Sequence, residues 1–363
     1  MNTLRNNVPC MFLALLALAL ILDTGAEAQD LNETLLSTDN AYNPVPSPDG
    51  RYIAYVRTGW GRPGGTGGFG RSNLASEVIV IDENGVSVTA KPLADMFLGG
   101  WTPDGNHLVC FRDWEYALAS KDGKRVLAGR IPNEPNKHPA TEWVAYLPSL
   151  AAIVWSRLID DSHGAIETPG RTVVKEEMFR QRVIPSPDGR YLALFGEFPQ
   201  TDLRVYDLSL ESWTDLGRIS IHPDTDWSYI QPDWNPWFAD GSRLVFLRDS
   251  TLVISSPDGT TKTVIKIDGK AGLPVPSPDG QSIAYVTFEP HPMKVRPDLQ
   301  FWGGTTIWVV PAYAGSTAHP VTQKNQDEVY DLKWRGNDSL VFDRVADEVF
   351  YKHARIWKAA VSR

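Results

Sequence analysis

Cysteine is scarce in this chain of 363 residues, which contains only Cys10 and Cys110. We expect residues 1–28 to be removed as a secretory signal peptide, which leaves Cys110 as the remaining thiol. One thiol excludes an internal disulfide. Because Cys110 lies in an alternating apolar segment, we interpret it as a small buried side chain and not as a catalytic nucleophile.

Three further absences restrict the function. No G-x-S-x-G motif joins a predicted strand to a helix, and the nearest match, Gly280–Ala284, falls in a predicted hairpin, so a serine hydrolase is not expected. The 35 basic residues are outnumbered by 44 acidic ones, and the net charge of −9 argues against a nucleic-acid partner. The apolar run Met11–Leu22 follows Arg5 and precedes Ala26 and Ala28, which predicts a cleavable signal and a periplasmic or secreted protein. An uncleaved anchor is the alternative.

What the chain has in abundance is a Pro-Asp-Gly turn followed by an alternating apolar strand. Proline presets φ at the first corner, aspartate hydrogen-bonds to the backbone two residues on, and glycine accepts a positive φ, so each copy predicts a hairpin. Clear copies span Ser47–Val56, Thr102–Phe111, Ser186–Phe195 and Ser277–Val286, with a variant at Ala239–Leu247. Asp104 and Asp188 are 84 residues apart, about two repeats, and a degenerate copy lies between them at Thr141–Ile159, where Pro148-Ser149 replaces the usual turn. A final copy from Leu332 brings the number to seven.

Each copy is followed by further strand-like sequence, which in the first copy is Glu77–Asp82 and Val86–Thr89. Units of four antiparallel strands and about 40–50 residues are typical of propeller blades. The sequence therefore predicts an all-β, seven-bladed β-propeller that forms a single domain over residues 29–363, with a six-bladed ring as the alternative. The last copy has only three strands, so we predict that Asn32–Ser37 supplies its fourth and closes the ring. An open array or a two-sheet sandwich is the competing architecture.

Three copies resemble the repeats of TolB-like, WD40-like β-propeller proteins: PSPDGRYIAYV at 46–56, PSPDGRYLALF at 185–195 and PSPDGQSIAYV at 276–286. The resemblance extends from about Asn43 to the end of the chain. It implies a propeller with the Pro-Asp-Gly turn between the first and second strands of each blade, and it implies little about function. We expect no room for the separate α/β domain of TolB itself or for the hydrolase domain of related peptidases.

Strand order predicts which loops share one end of the ring. The Pro-Asp-Gly turns lie at one end, here called the turn face. The longer connections lie at the opposite end, the loop face, where we place the candidate ligand-binding residues. These candidates are Trp60, Arg62, His138, Trp143, His163, His222, Asp224, Asp226, Trp227, His291, Arg296 and Trp302. Trp234 and Trp237 are instead predicted to fill the core.

Two functions follow from these residues. The first is a monomeric, non-catalytic module without a cofactor, which binds a protein partner or an extracellular carbohydrate through stacked aromatic rings and a basic loop around Arg296. The alternative is a metal-assisted lyase or hydrolase acting on a polysaccharide. Its divalent metal would be held by four histidines, His138, His163, His222 and His291.

Overall fold

The computed structural model describes residues 33–37, 40–58, 76–112, 115–131, 141–158, 164–176, 181–196, 202–221, 234–292, 300–346 and 354–362. The regular elements in these ranges are β-strands apart from one 3-10 turn, and the strands form seven blades in a ring, which confirms the predicted all-β, seven-bladed propeller. A short 3-10 turn at Pro148–Leu150 replaces the Pro-Asp-Gly turn in the degenerate third blade, as the sequence predicts.

The strands, numbered in chain order, run from the innermost to the outermost position of each blade. Blade 1 has β2 (Ala41–Pro46), β3 (Tyr52–Thr58), β4 (Ser76–Asp82) and β5 (Leu93–Ala94). Blade 2 has β6 (Phe97–Trp101), β7 (His107–Arg112), β8 (Glu115–Ser120) and β9 (Arg125–Arg130).

Blade 3 has β10 (Thr141–Leu147), β11 (Ala152–Leu158), β12 (Gly164–Thr168) and β13 (Arg171–Glu176). Blade 4 has β14 (Gln181–Pro185), β15 (Tyr191–Gly196), β16 (Asp202–Asp207) and β17 (Ser212–Arg218).

Blade 5 has β18 (Leu244–Arg248), β19 (Thr251–Ser255) and β20 (Lys262–Lys266); blade 6 has β21 (Lys270–Pro276), β22 (Ser282–Phe288), β25 (Thr306–Pro311) and β26 (His319–Pro320); blade 7 has β27 (Glu328–Arg335), β28 (Ser339–Val345), β29 (Ala354–Ala360) and β1 (Glu33–Ser37). In blade 5 an irregular segment takes the innermost position, through a bridge from Trp237 to Leu244. A small hairpin of β23 (His291–Pro292) and β24 (Gln300–Phe301) interrupts blade 6.

The chain closes its own ring. Strand β1 pairs antiparallel with β29, with Leu35 opposite Trp357 and Ser37 opposite Ile356, which confirms the predicted closure by the N-terminal strand. The predicted fourth strand of blade 1, Val86–Thr89, holds only in part: Ser87 forms a bridge with Ile81 of β4, but the regular fourth strand is Leu93–Ala94. The Thr89 hydroxyl donates to the Lys121 carbonyl of blade 2 at 3.2 Å, so this segment is held between two blades and does not form a regular edge strand.

The Pro-Asp-Gly turns share one hydrogen-bond pattern. In the first, the Ser47 hydroxyl donates to Asp49 Oδ1 at 2.6 Å, and the same carboxylate accepts from the Arg51 amide at 3.1 Å. Gly50 has a φ of 69°, a conformation that glycine adopts without strain. Neighbouring turns also contact each other, since Arg335 Nε of blade 7 donates to the Gly50 carbonyl of blade 1 at 2.6 Å. The repeat therefore builds both the hairpins and the contacts around the turn face.

These turns make the fold sensitive to acid. The hydrogen bond from Ser47 lowers the pKa of Asp49 from 3.8 to about 2. Because the pKa is lower in the folded state, the stabilisation is fully present above pH 4 and is lost as the pH falls toward 2. We expect Ser47→Ala to lower the melting temperature at pH 6, and we expect the difference from the wild type to shrink by pH 2.

A second turn serine provides the control for this pH series. The Ser316 hydroxyl donates to a backbone carbonyl, that of Pro311, at 2.7 Å, and a carbonyl does not titrate in this range. Ser316→Ala should therefore lower the melting temperature by the same amount at both pH values. A Ser47→Ala difference that is equally constant with pH would show that the turn carboxylate does not contribute.

Tryptophan side chains connect adjacent blades. The indole nitrogens of Trp101, Trp237 and Trp334 donate to the carbonyls of Val45, Ile184 and Val275 at 2.9, 3.0 and 3.0 Å. Each acceptor belongs to the preceding blade and is the residue directly before a Pro-Ser-Pro-Asp-Gly sequence. Trp234 and Trp237 are 2% and 4% exposed, as predicted for core residues. Blades 1 and 2, 4 and 5, and 6 and 7 are thus joined by the same bond.

Candidate functional site

The structure describes three of the twelve candidate residues on the loop face, Trp143, His291 and Trp302. The other nine lie outside the described residues and stay predictions: Trp60, Arg62, His138, His163, His222, Asp224, Asp226, Trp227 and Arg296. The three described residues fall at two places, Trp143 in blade 3 and the other two around the β23–β24 hairpin of blade 6.

Trp143 lies inside the protein, between blades 2, 3 and 4. It is 8% exposed, the edge of its ring meets Phe111 with centroids 6.0 Å apart, and the Arg182 guanidinium carbon lies 3.9 Å from its ring centroid. Arg182 itself is buried, and a cation over an indole ring is held more strongly where water is excluded. Trp143 therefore supports the loop face by fixing a buried arginine, and Arg182 is a residue that sequence reasoning missed.

The β23–β24 hairpin of blade 6 has an aromatic base. His291 pairs with Phe301 across the hairpin, and their rings meet edge to face at 5.3 Å between centroids. Trp302 follows immediately and is packed into the largest apolar cluster, with the Lys270 ammonium 4.4 Å from its ring centroid. The ring of Trp302 therefore anchors the hairpin to blade 6 and is not presented to solvent.

Polar contacts hold the same base from the other side. Lys324 forms an ion pair with Glu289, and the Glu289 amide donates to the Gly303 carbonyl at 3.0 Å. A β-carbon at Gly303 would lie 2.0 Å from the Gln326 carbonyl oxygen and 2.6 Å from His291 Nε2, so only glycine fits there. The hairpin thus leaves the ring from a base that is fixed to both blade 6 and the segment leading to blade 7.

Buried charge is concentrated in the closing blade. Glu328, Asp331 and Asp343 are 1%, 0% and 0% exposed, and Arg344 is 4% exposed. Asp343 Oδ1 accepts from the backbone amides of Tyr330 and Asp331 at 3.1 and 2.8 Å, where β27 bulges. Buried charges are tolerated only when they are paired or hydrogen-bonded. Here the Asp343 carboxylate is hydrogen-bonded, and it provides an acceptor for two backbone amides of the irregular innermost strand.

Asp343 also reaches the first blade, because its Oδ2 accepts from the Asn43 amide at 3.4 Å. The sequence contains a signal for this residue. The fourth residue of the apolar stretch in the second strand of the other blades is Val56, Phe111, Ser156, Phe195, Leu247 or Val286. An aspartate at that position breaks the pattern of a strand buried on both faces, and such breaks mark sites with a special role.

Metal binding and nucleophilic catalysis depend on His, Cys, Asp and Glu side chains, and the structure describes only some of the candidates for these roles. Among the described residues, no three His, Cys, Asp or Glu side chains are grouped so that they could hold a metal ion. Of the four histidines predicted as ligands, His291 is the described one. Burial raises the pKa of Cys110 to about 12, and the side chain is 0% exposed, which agrees with a structural thiol. No helix in the described ranges is long and apolar enough to cross a membrane.

Neither a protein-family model nor a curated protein matches the sequence. Solved structures with the same architecture include the β-propeller domain of Cps50 (Swd1) from Myceliophteria thermophila, with 12% identity, a TM-score of 0.57 and coverage of 92% of this chain and 100% of that one. A chain of the mitotic checkpoint complex matches with 10% identity, a TM-score of 0.54 and coverage of 100% and 99%.

An oligogalacturonate lyase in complex with manganese matches with 11% identity, a TM-score of 0.57 and coverage of 93% of this chain and 95% of that one. At these identities the similarity shows the fold alone. The chain is a β-propeller whose architecture agrees with the TolB-like and WD40-like repeats in its sequence.

Proposed function

We propose that this chain is a non-catalytic binding module, and that its loop face takes a protein partner or an extracellular carbohydrate. The observation that carries the proposal is the fixed base of the β23–β24 hairpin, where Trp302 packs in the core and Lys324 pairs with Glu289. A loop held by a rigid scaffold loses little conformational entropy on binding, which is why recognition residues so often lie on such loops.

The similar propellers support the coarse form of this proposal. One was solved within the mitotic checkpoint complex, and another is a lyase, so the architecture serves both association and catalysis. The finer proposal includes export to the periplasm or the cell exterior, because of the signal-like segment at residues 1–28, and function as a monomer.

The hairpin offers a direct test. Replacing residues 293–299 by an Asn-Gly turn joins Pro292 to Gln300 with a connection that favours antiparallel pairing. We expect this variant to lose at least about tenfold in affinity for the protein or glycan that the exported wild-type chain captures. Tyr313→Ser, which changes a side chain 62% exposed on the turn face, is the matched control and should bind like the wild type.

The captured protein or glycan would then be cross-linked to the chain, to identify the residues in contact. Titration with the purified ligand would measure the affinity of each variant. Equal affinity of the hairpin variant and the wild type would place recognition elsewhere and contradict the proposal. Loss of affinity in both the hairpin variant and Tyr313→Ser would indicate a general surface effect and would contradict it as well.

The second candidate function is a metal-assisted lyase or hydrolase with His138, His163, His222 and His291 as ligands. The observation that favours it is the similarity in fold to a lyase solved with manganese. Elemental analysis of the purified protein, followed by titration with Mn²⁺, tests it. A stoichiometric metal that is lost in His222→Ala would support this function, and a metal-free protein that does not bind Mn²⁺ would reject it.

A further inference from the structure

The outermost strand of blade 2, β9, is exposed on both of its faces. None of its six residues is buried, and Val126 and Leu127 are 58% and 49% exposed. The outer strands of blades 3, 4 and 5 each bury an apolar residue, which are Val174, Leu216 and Ile265. One face of a strand in an antiparallel sheet is normally buried against the rest of the protein. Because both faces of β9 are exposed, the strand presents apolar surface to solvent that an outer strand normally buries.

The surroundings of β9 are basic. Arg125 and Arg130 lie at its two ends, and Lys121 and Lys124 lie in the turn that precedes it. Two acidic side chains offset part of this charge: Asp122 in the same turn, and Glu115 of β8, which lies opposite Arg130 with 3.9 Å between its carboxylate and Arg130 Nε. All six side chains are exposed. In a chain with a net charge of −9, this is a local excess of positive charge beside exposed apolar residues. The combination is complementary to a partner that carries both carboxylates and apolar side chains.

The edge itself is available for pairing. Within the described residues, β9 is the last strand of its sheet and pairs only with β8. A β-bulge interrupts this pairing between Leu118–Leu127 and Ala119–Arg125, and the ladder is regular from Leu127 to Arg130. An added strand would therefore pair along this regular stretch.

The charges disfavour a second copy of the chain as the added strand. Antiparallel self-pairing centred between Leu127 and Ala128 would set Arg125 opposite Arg130, and like charges directly opposite each other destabilise a sheet. A partner strand with acidic residues at these positions would instead form two ion pairs.

We propose that β9 is a docking edge for an extended acidic segment of a partner protein, which adds to blade 2 as a fifth strand. Backbone bonds to Leu127–Arg130 provide the pairing, apolar side chains of the partner cover Val126 and Leu127, and its carboxylates meet Arg125 and Arg130. This surface is independent of the loop face, so either proposal stands if the other fails.

The probe for the test is a dye-labelled peptide of alternating glutamate and valine, titrated with the purified protein by fluorescence anisotropy. We expect saturable binding that weakens with added salt. Arg125→Glu combined with Arg130→Glu, and Leu127→Asp alone, should each lower the affinity at least about tenfold. Because these side chains are exposed, we expect the variants to fold, and their circular dichroism and melting temperature verify it.

Strand β20 of blade 5 provides the matched control. It is also an outer strand, with Lys262 and Lys266 at its ends and Val264 50% exposed between them. Lys262→Glu combined with Lys266→Glu should leave the affinity for the probe within about twofold of the wild type. In the complex, amide hydrogen exchange should slow at Leu127–Arg130 and not along β20.

Four outcomes would overturn the proposal. No saturable binding is the first, and unchanged amide exchange at β9 in the complex is the second. The third is binding of a peptide of alternating glutamate and serine as tight as that of the glutamate–valine probe, because it would show that the surface binds anionic peptides without using its apolar side chains. A dimer detected by light scattering in the wild type and absent in Leu127→Asp would assign the edge to a second copy of the chain.

Discussion

Replacing Glu33 by alanine lowers the free energy of unfolding by about 3–5 kcal/mol, because it leaves Arg344 buried without its carboxylate. Arg344 Nη2 donates to Glu33 Oε1 at 2.9 Å, Nη1 donates to Oε2, and the two side chains are 4% and 7% exposed. The pair joins β1 to β28 across 311 residues of sequence, so the loss falls on the strand that closes the ring. Urea denaturation followed by tryptophan fluorescence measures it.

An exposed pair of the same residue types is the control. Arg57 Nη2 and Nε both contact Glu77 Oε2, at 2.6 and 3.1 Å, but these side chains are 37% and 36% exposed. Glu77→Ala should cost about 1 kcal/mol or less, because water replaces the lost carboxylate. The double variant Glu33→Leu with Arg344→Met should recover most of the loss, since it removes both buried charges. Equal losses for Glu33→Ala and Glu77→Ala would show that burial of the closing pair has no effect.

The second large effect is expected at the tryptophans that join neighbouring blades. Trp237→Ala should lower the free energy of unfolding by about 3–5 kcal/mol, because it empties a core position packed against Tyr191 at 6.0 Å between ring centroids. Trp237→Phe keeps most of the apolar volume but leaves the buried Ile184 carbonyl without its indole donor. The expected cost of that change is about 1–3 kcal/mol.

Trp308 is the matched control for the hydrogen bond. Its indole donates to the Thr287 hydroxyl at 2.9 Å, but the site is only partly buried, so water can replace the donor. Trp308→Phe should therefore cost less than about 1 kcal/mol. If Trp237→Phe and Trp308→Phe cost the same, the bond between blades 4 and 5 would not contribute beyond its packing.

The architecture was predictable because the turn chemistry is local. Proline, aspartate and glycine specify a hairpin within four residues, and seven repeats, four of them with this full motif, leave few arrangements other than a closed ring. The number of blades was predicted correctly even though blade 3 has Pro148–Leu150 in place of the motif, because the distance between the flanking turns indicated a missing copy. The prediction for Val86–Thr89 holds only in part, because the segment forms a single bridge with β4, at Ser87, while its Thr89 hydroxyl bonds to the Lys121 carbonyl of blade 2.

Of the twelve residues predicted for the candidate site, the structure describes three, and the other nine stay predictions. Two of the three, Trp143 and Trp302, are buried, because large rings at the loop face also fill the wedge between blades. Arg182 and Glu33 were missed, since each acquires its role from a partner that only the fold brings close. Asp343 could have been recognised from the repeat, where it replaces an apolar residue in a buried strand.

The sequence by itself determined the repeated unit, the number of blades and the closure by the N-terminal strand, since these depend on short-range turn geometry and on alternation of apolar residues. The tertiary structure alone decided which charges are buried in the closing blade, which indoles bond across blades and which outer strands remain exposed. Those features depend on contacts between residues far apart in sequence, and the local pattern that builds each blade does not encode how its faces meet the next.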